Sequence, residues 1–224
     1  MAAHGRESGR RRTLDTLLLA LNLVPFLASC TLYFVLWLPS DQPSWTSALV
    51  KCLPILCLAL LVHTTAPRRP YCQFIRAGLL CSALGDTFLI WPNQFLFGMA
   101  AFALAHLFYL RALGWLPIRL ALLGSVAAIS GLYFGLLQPH LPSDLWLPVA
   151  IYVAILGLML WRALARGRPA ALGGLLFSLS DAILAWDAFI WPLPPGRLIV
   201  MVTYYLAQAL LALSTMEAGA PKAD

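Results

Sequence analysis

The sequence predicts an all-α integral membrane protein of eight transmembrane helices, and three observations carry that expectation. Only 11% of the 224 residues are charged and 61% are hydrophobic, with a mean hydropathy of +0.82, whereas soluble domains carry roughly 25% charged residues. The apolar residues fall in runs of about 20, the length that crosses a hydrocarbon core. Turn-forming clusters separate the runs, and no connector is long enough to be a domain. Any active site must therefore be built from the helices themselves.

The first run covers about 14–38, behind a basic segment at 1–13 that holds Arg10, Arg11 and Arg12. It continues through "LASC" (27–30) to Leu38, so it reads as a membrane helix and not a cleaved signal. "PSDQPS" ends it, and the second helix, about 45–65, contains Lys51. "APRRP" precedes the third, about 73–91, with Asp86; "WPNQ" opens the fourth, about 94–113, with His106 and Tyr109. "LPIR" leads into the fifth, about 118–138, and "QPHLPSD" into the sixth, about 146–165, with Tyr152. "RGRP" opens the seventh, about 171–191, with Asp181 and Asp187. "WPLPPGR" opens the eighth, about 197–216, with Tyr204, Tyr205 and Gln208, and 217–224 form a tail. Proline and glycine in these connectors supply the breaks.

Charge sets the expected orientation. Thirteen of the fifteen Lys and Arg residues fall on one side: Arg6, Arg10, Arg11, Arg12, Arg68, Arg69, Arg76, Arg111, Arg119, Arg162, Arg166, Arg168 and Lys222. The other side receives Arg197 and, near the start of the second helix, Lys51. The positive-inside bias then places both termini in the cytoplasm, which an even number of spans satisfies. The net charge of +6 is spread over short connectors without interleaved aromatics, which argues against nucleic acid as a partner. The five cysteines (Cys30, Cys52, Cys57, Cys72, Cys81) show no CxxC or Cys/His cluster and read as small packing residues. Metal-ligand spacings, phosphate loops and a Ser-His-Asp arrangement are likewise missing from the sequence, and Trp37, Trp91, Trp146, Trp186 and Trp191 read as interfacial anchors.

"GLLCSALGDTFLIW" (78–91) and "GLLFSLSDAILAW" (174–186) match at eight of thirteen positions when one gap is allowed. They lie on helices three and seven, four spans apart, so the copies cross in the same direction. A fainter echo links His106/Tyr109 with Tyr205/Gln208 on helices four and eight. Two parallel four-helix repeats, about 14–113 and 118–216, are the expected plan, with the register secure only from Leu84/Leu179 onward. Each copy carries an aspartate. At 1.5 Å per residue, Lys51, Asp86 and Asp181 fall within about 6 Å of the bilayer centre, and Tyr152, His106, Tyr204, Tyr205 and Gln208 lie near the same layer. A charge there costs at least about 2.5–3.5 kcal/mol, so these groups are expected to face the interior and find partners. Three carboxylates (with Asp187) against one lysine leave an acid without a cation. Burial favours the neutral form of such a group, which is what a general acid requires. A structural ion pair is the simpler reading of the same residues.

The motifs "KCLPIL" from Lys51, "SALGDTFLIW" ending at Trp91, "AHLFY" (105–109), "SLSDAILAWD" (178–187) and "TYYLAQ" (203–208) occur in the order and spacing of a known family. Across almost its whole length the chain resembles the transmembrane protein 86/YhhN family. That resemblance implies an eight-helix enzyme of the endoplasmic reticulum membrane that hydrolyses the vinyl ether bond of lysoplasmalogens, a class of lysophospholipid. The products would be a fatty aldehyde and glycerophosphocholine or glycerophosphoethanolamine. No metal or organic cofactor is implied, membrane lipids are the surroundings, and a homodimer is compatible with it. The family's paired acids correspond to Asp86 and Asp181. Asp187 departs from the pattern, since relatives often carry Asn there, and ranks as supporting with Lys51, His106, Tyr109, Tyr152, Tyr204, Tyr205 and Gln208.

Two buried carboxylates suit that chemistry independently of the resemblance. One can protonate the carbon beta to the ether oxygen while the other, ionised, stabilises the oxocarbenium ion, as in glycosidases. Lys51 can keep one of them ionised. Which aspartate takes which role is open at the level of sequence. The competing reading is a transporter or lipid-moving protein, because parallel repeats with mid-membrane ionisable residues also suit carriers.

Overall fold

The computed structural model describes residues 2–38, 42–65 and 69–217, and it is helical throughout, with no strand among the described residues. Eight α-helices follow in chain order: α1 (Ala2–Leu36), α2 (Trp45–Thr65), α3 (Pro70–Phe88), α4 (Phe95–Leu113), α5 (Leu120–Leu137), α6 (Trp146–Arg166), α7 (Ala170–Phe189) and α8 (Gly196–Glu217). Short 3-10 turns at Pro92–Gln94, Gln138–His140 and Ser143–Leu145 join α3 to α4 and α5 to α6. Seven helices are long and apolar enough to cross a membrane. The remaining one, α3, carries Gln73, Arg76 and Asp86 and is diluted by them.

Most boundaries fall within three residues of those expected. The larger difference is at the N-terminus, where the backbone is helical from Ala2, so the basic segment extends α1 instead of forming a separate tail. Helix α3 ends at Phe88, short of residue 91, because Pro92 disfavours the helical conformation of the residue before it. Of the expected C-terminal tail, residues 218–224 lie outside the described residues.

Consecutive helices pack as neighbours within 1–4 and within 5–8, and the two halves meet through α4 against α6, α2 against α8 and, less extensively, α3 against α8. Exchanging α1–α4 with α5–α8 maps the major pairings onto one another, while the slighter α3–α8 and α5–α7 contacts depart from that symmetry. Exposure follows the same rule: 11% of the apolar window of α5 and 17% of that of α1 are buried, against 67% in α8. Helices α1 and α5 are therefore the peripheral pair, and their outward leucines form the lipid-facing surface expected of a membrane protein.

The packing also corrects the repeat register. A Cβ on Gly78 would overlap the Tyr109 ring of α4, and one on Gly173 would press on Ala207 and Leu211 of α8. Each glycine stands eight residues before its aspartate and faces the next helix of its own half. Gly78 is thus the equivalent of Gly173, not of Gly174, whose missing side chain faces Ala163 of α6. No gap is needed. Small residues of this kind let membrane helices approach closely.

Arg162 of α6 is completely buried. It donates to the carbonyls of Gly114 (2.6 Å), Leu116 (2.8 Å) and Pro117 (2.7 Å), all in the connector between α4 and α5, and its guanidinium packs on Trp161. The Trp161 indole donates to the Arg119 carbonyl at 3.0 Å. This side chain ties the two halves together at the chain's midpoint. Removing it would strand three carbonyls that hydrogen bonds from a charged donor now satisfy. We expect Arg162→Ala to destabilise the protein by about 3 kcal/mol or more, read as a lowered Tm in detergent-solubilised protein.

Candidate active site

Asp86 on α3 is almost fully buried. Its Oδ1 lies 3.5 Å from Lys51 Nζ on α2, and its Oδ2 accepts a 2.6 Å hydrogen bond from Tyr204 Oη on α8. Lys51 is set in place by its neighbours. Tyr205 Oη donates to its carbonyl at 2.9 Å, and Cys52 Sγ lies 3.1 Å from the Ala83 carbonyl and 3.2 Å from Thr87 Oγ1. These contacts fix α2 against α3, one turn from the acid.

Asp181 on α7 has a different set of partners. Its Oδ2 accepts from Tyr152 Oη of α6 at 2.5 Å and lies 3.5 Å from His106 Nε2 of α4. His106 Nε2 is also 3.0 Å from Tyr152 Oη. Under the exchange of halves, α2 corresponds to α6 and α8 to α4, so Lys51 answers to Tyr152 as a partner of the acid, and Tyr204 to His106, one residue off the His106/Tyr205 echo read from the sequence. Each acid is held from the same two directions. Only Asp86 has a lysine; the partners of Asp181 are a phenol and an imidazole.

The two acids line one cavity of about 290 Å³, together with Lys51, Tyr204, Ser180 and Arg197. Asp181 also borders a second cavity of about 240 Å³, which Tyr152, Ile129, Val153, Leu156 and Phe189 help to line. Leu89, Phe95, Phe102 and Leu184 belong to both walls, so the chamber that carries the charged side chains, here the polar chamber, and a more apolar one meet at Asp181. Phe177, fully buried, stands edge-on to His106 (centroids 4.7 Å apart) and to Tyr204 (5.5 Å). This single ring packs against both polar clusters and separates their outer members.

The remaining sequence candidates are placed outside this chamber. Tyr109 Oη donates to Gln208 Oε1 at 2.7 Å and lies 3.3 Å from Ser82 Oγ, which knits α3, α4 and α8 together; neither Tyr109 nor Gln208 lines either of these two chambers. Tyr205 acts on Lys51 through its backbone, as described. Asp187 accepts a 2.6 Å hydrogen bond from the Leu193 amide and so shapes the α7–α8 turn. No group of three or more His, Cys, Asp or Glu residues that could hold a metal occurs among the described residues. Sequence reasoning missed Phe177, because an aromatic in an apolar run carries no signal. It counted Arg197 only for orientation, although Arg197 and Tyr204, seven residues apart, share a helix face.

Residues 46–215 match the YhhN family. The chain belongs to that family. It is 51% identical over 202 residues to the human lysoplasmalogenase TMEM86B, covering 90% of this chain and 89% of that protein. It is 43% identical over 226 residues to bovine lysoplasmalogenase TMEM86A, covering 91% and 92%. A lysoplasmalogenase of Mycobacterium tuberculosis is 33% identical over 165 residues, 66% of this chain and 60% of the bacterial protein. No solved structure matches the chain.

Removing one member of a buried ion pair strands the other charge, whereas removing both with apolar residues is often neutral. We therefore expect Lys51→Met to cost about 3 kcal/mol and the double variant Lys51→Met/Asp86→Leu to recover most of that loss. Thermal unfolding of the single and double variants in one detergent measures the coupling.

Proposed function

We propose that this protein is a lysoplasmalogenase that cleaves the vinyl ether bond of choline or ethanolamine lysoplasmalogens by two-carboxylate catalysis. The observation that carries the mechanism is the unequal environment of two equivalent acids on one cavity: Asp86 beside Lys51, Asp181 beside Tyr152 and His106. Relatives bearing that activity in their names at 43–51% identity support the substrate class.

Asp86, with a cation at 3.5 Å, is the ionised partner. Asp181 is the general acid. Tyr152 occupies its Oδ2, which leaves Oδ1 to present a proton to the cavity. Transfer of that proton to the carbon beta to the ether oxygen generates an oxocarbenium ion, and the Asp86 carboxylate stabilises it electrostatically. Water adds to the cationic carbon and returns its proton to Asp181. The hemiacetal then loses its hydroxyl proton as the ether oxygen gains one, and the C–O bond breaks to give aldehyde and glycerol hydroxyl. The line His106–Tyr152–Asp181 gives the acid a route for exchanging protons with a second titratable group. The alkenyl chain fits the apolar chamber, and the glycerol end fits the polar one.

This reading includes α3 as an eighth span, flanked by α2 and α4, in two parallel four-helix repeats. An even number of spans returns both termini to the cytoplasmic side that the thirteen basic residues mark. The endoplasmic reticulum is the membrane that the family resemblance implies.

Purified protein in detergent should release aldehyde from choline lysoplasmalogen and none from saturated lysophosphatidylcholine, with products identified by mass spectrometry. A carrier would consume neither. Asp86→Asn and Asp181→Asn should each lower kcat by about 10²–10⁴-fold in protein that remains folded. Tyr152→Phe, which leaves Asp181 in place, should lower kcat by about 10- to 100-fold. Full activity in either asparagine variant would refute the assignment.

A further inference from the structure

We propose that Arg197 is the phosphate-binding residue of the polar chamber and holds the phosphodiester of the substrate; this inference rests on the lysoplasmalogenase reading above. Two cations line that chamber, Lys51 and Arg197. Lys51 is matched by Asp86 at 3.5 Å, so its charge is largely spent within the protein. Arg197 makes no salt bridge among the described residues and is half-buried on the first turn of α8.

Its guanidinium is fixed in orientation. Nη2 donates to the Leu38 carbonyl at 2.8 Å and reaches Tyr33 Oη at 3.5 Å, while the group lies 4.3 Å from the Trp37 ring centroid and 5.9 Å from that of Tyr33. Among the described residues, Nη2 is the nitrogen that these hydrogen bonds use, so the Nε and Nη1 donors remain for a ligand. A planar guanidinium already held on aromatic rings loses little freedom on binding, and either free nitrogen, Nε or Nη1, can donate a charge-assisted hydrogen bond to a phosphate oxygen.

The spacing agrees with the chemistry. Arg197 and Tyr204 lie on one face of α8, separated by two turns or about 10.5 Å of rise, and Tyr204 grips Asp86. In a lysoplasmalogen five bonds separate the ether oxygen from phosphorus, about 6 Å when extended. A phosphate P–O bond and a hydrogen bond of about 2.8 Å bring the reach to about 10 Å. Arg197 lines the same chamber as both acids, so a vinyl ether placed at the acids has its phosphate on the stretch of wall that runs from Tyr204 toward Arg197. The chain then points the other way, past Asp181 into the apolar chamber.

The test compares two vinyl ethers with the same alkenyl chain, choline lysoplasmalogen and 1-O-alkenylglycerol, which has no phosphate. Aldehyde release by the purified full chain gives kcat/KM for each. The quantity read is their ratio, because a partly unfolded sample lowers both terms equally. Arg197→Gln should reduce the preference for the phosphorylated ether by about 10- to 100-fold, mostly through KM, and Arg197→Lys should restore part of it. A wild-type ratio retained in both variants overturns the phosphate site and leaves the lysoplasmalogenase reading intact. Loss of both activities in both variants likewise overturns it, since Arg197 would then be a strut between α1 and α8. Wild-type protein that releases aldehyde from neither ether overturns both readings.

Discussion

The Lys51–Asp86 pair, 3.5 Å apart with the acid 2% exposed and the lysine 15%, sets the terms for the rest of the bundle. A carboxylate taken from water into a low-dielectric interior carries a penalty of several kcal/mol that only a well-placed opposite charge and further hydrogen bonds offset. Helix α2 must therefore lie against α3 at a fixed height, and α8 must bring Tyr204 to the second oxygen. The sulfur contacts of Cys52 and the Tyr205 bond to the Lys51 carbonyl serve that alignment. Such a pair adds little to stability compared with well-packed apolar residues, so its presence in the buried interior favours a chemical role over a structural one.

The twofold plan explains how a second acid comes to stand on the same chamber. Two equivalent helices, each crossed by the helix before it and by the last helix of the opposite half, bring equivalent positions toward the centre. Identical partners would leave the two carboxyls competing for one proton. Substituting a phenol and an imidazole for the cation breaks that degeneracy. Two titratable groups whose surroundings differ in this way can take opposite roles in one reaction. The chamber walls follow the same division, polar beside Asp86 and apolar beyond Asp181, which suits an amphiphile whose reactive bond lies at its polar–apolar boundary.

Much of this was legible in the sequence because the bilayer restricts what can be built. Run length and breakers located eight helices, and the rarity of charge inside them singled out Lys51, Asp86 and Asp181. Which residues would meet was less legible. Periodicity within a helix says nothing about which neighbour its polar face will touch, and Asp181 meets Tyr152 of the preceding helix and His106 of α4, in the other half. The apparent gap in the repeat arose because "GG" at 173–174 offers two glycines, and only packing against α8 or α6 distinguishes them. Arg162 counted only as one more basic residue at a helix end, although it is completely buried and holds the connector between the halves. Asp187 drew attention by charge alone, whereas its geometry serves a turn.

The account depends on both acids acting on one substrate in one chamber. Aldehyde release from choline lysoplasmalogen by the purified double variant Asp86→Asn/Asp181→Asn, set beside the two single variants, measures this most directly. The account predicts that the double variant loses little more activity than either single one, as groups that act as a unit do. Losses that multiply in the double variant, as for two independent groups, would contradict it.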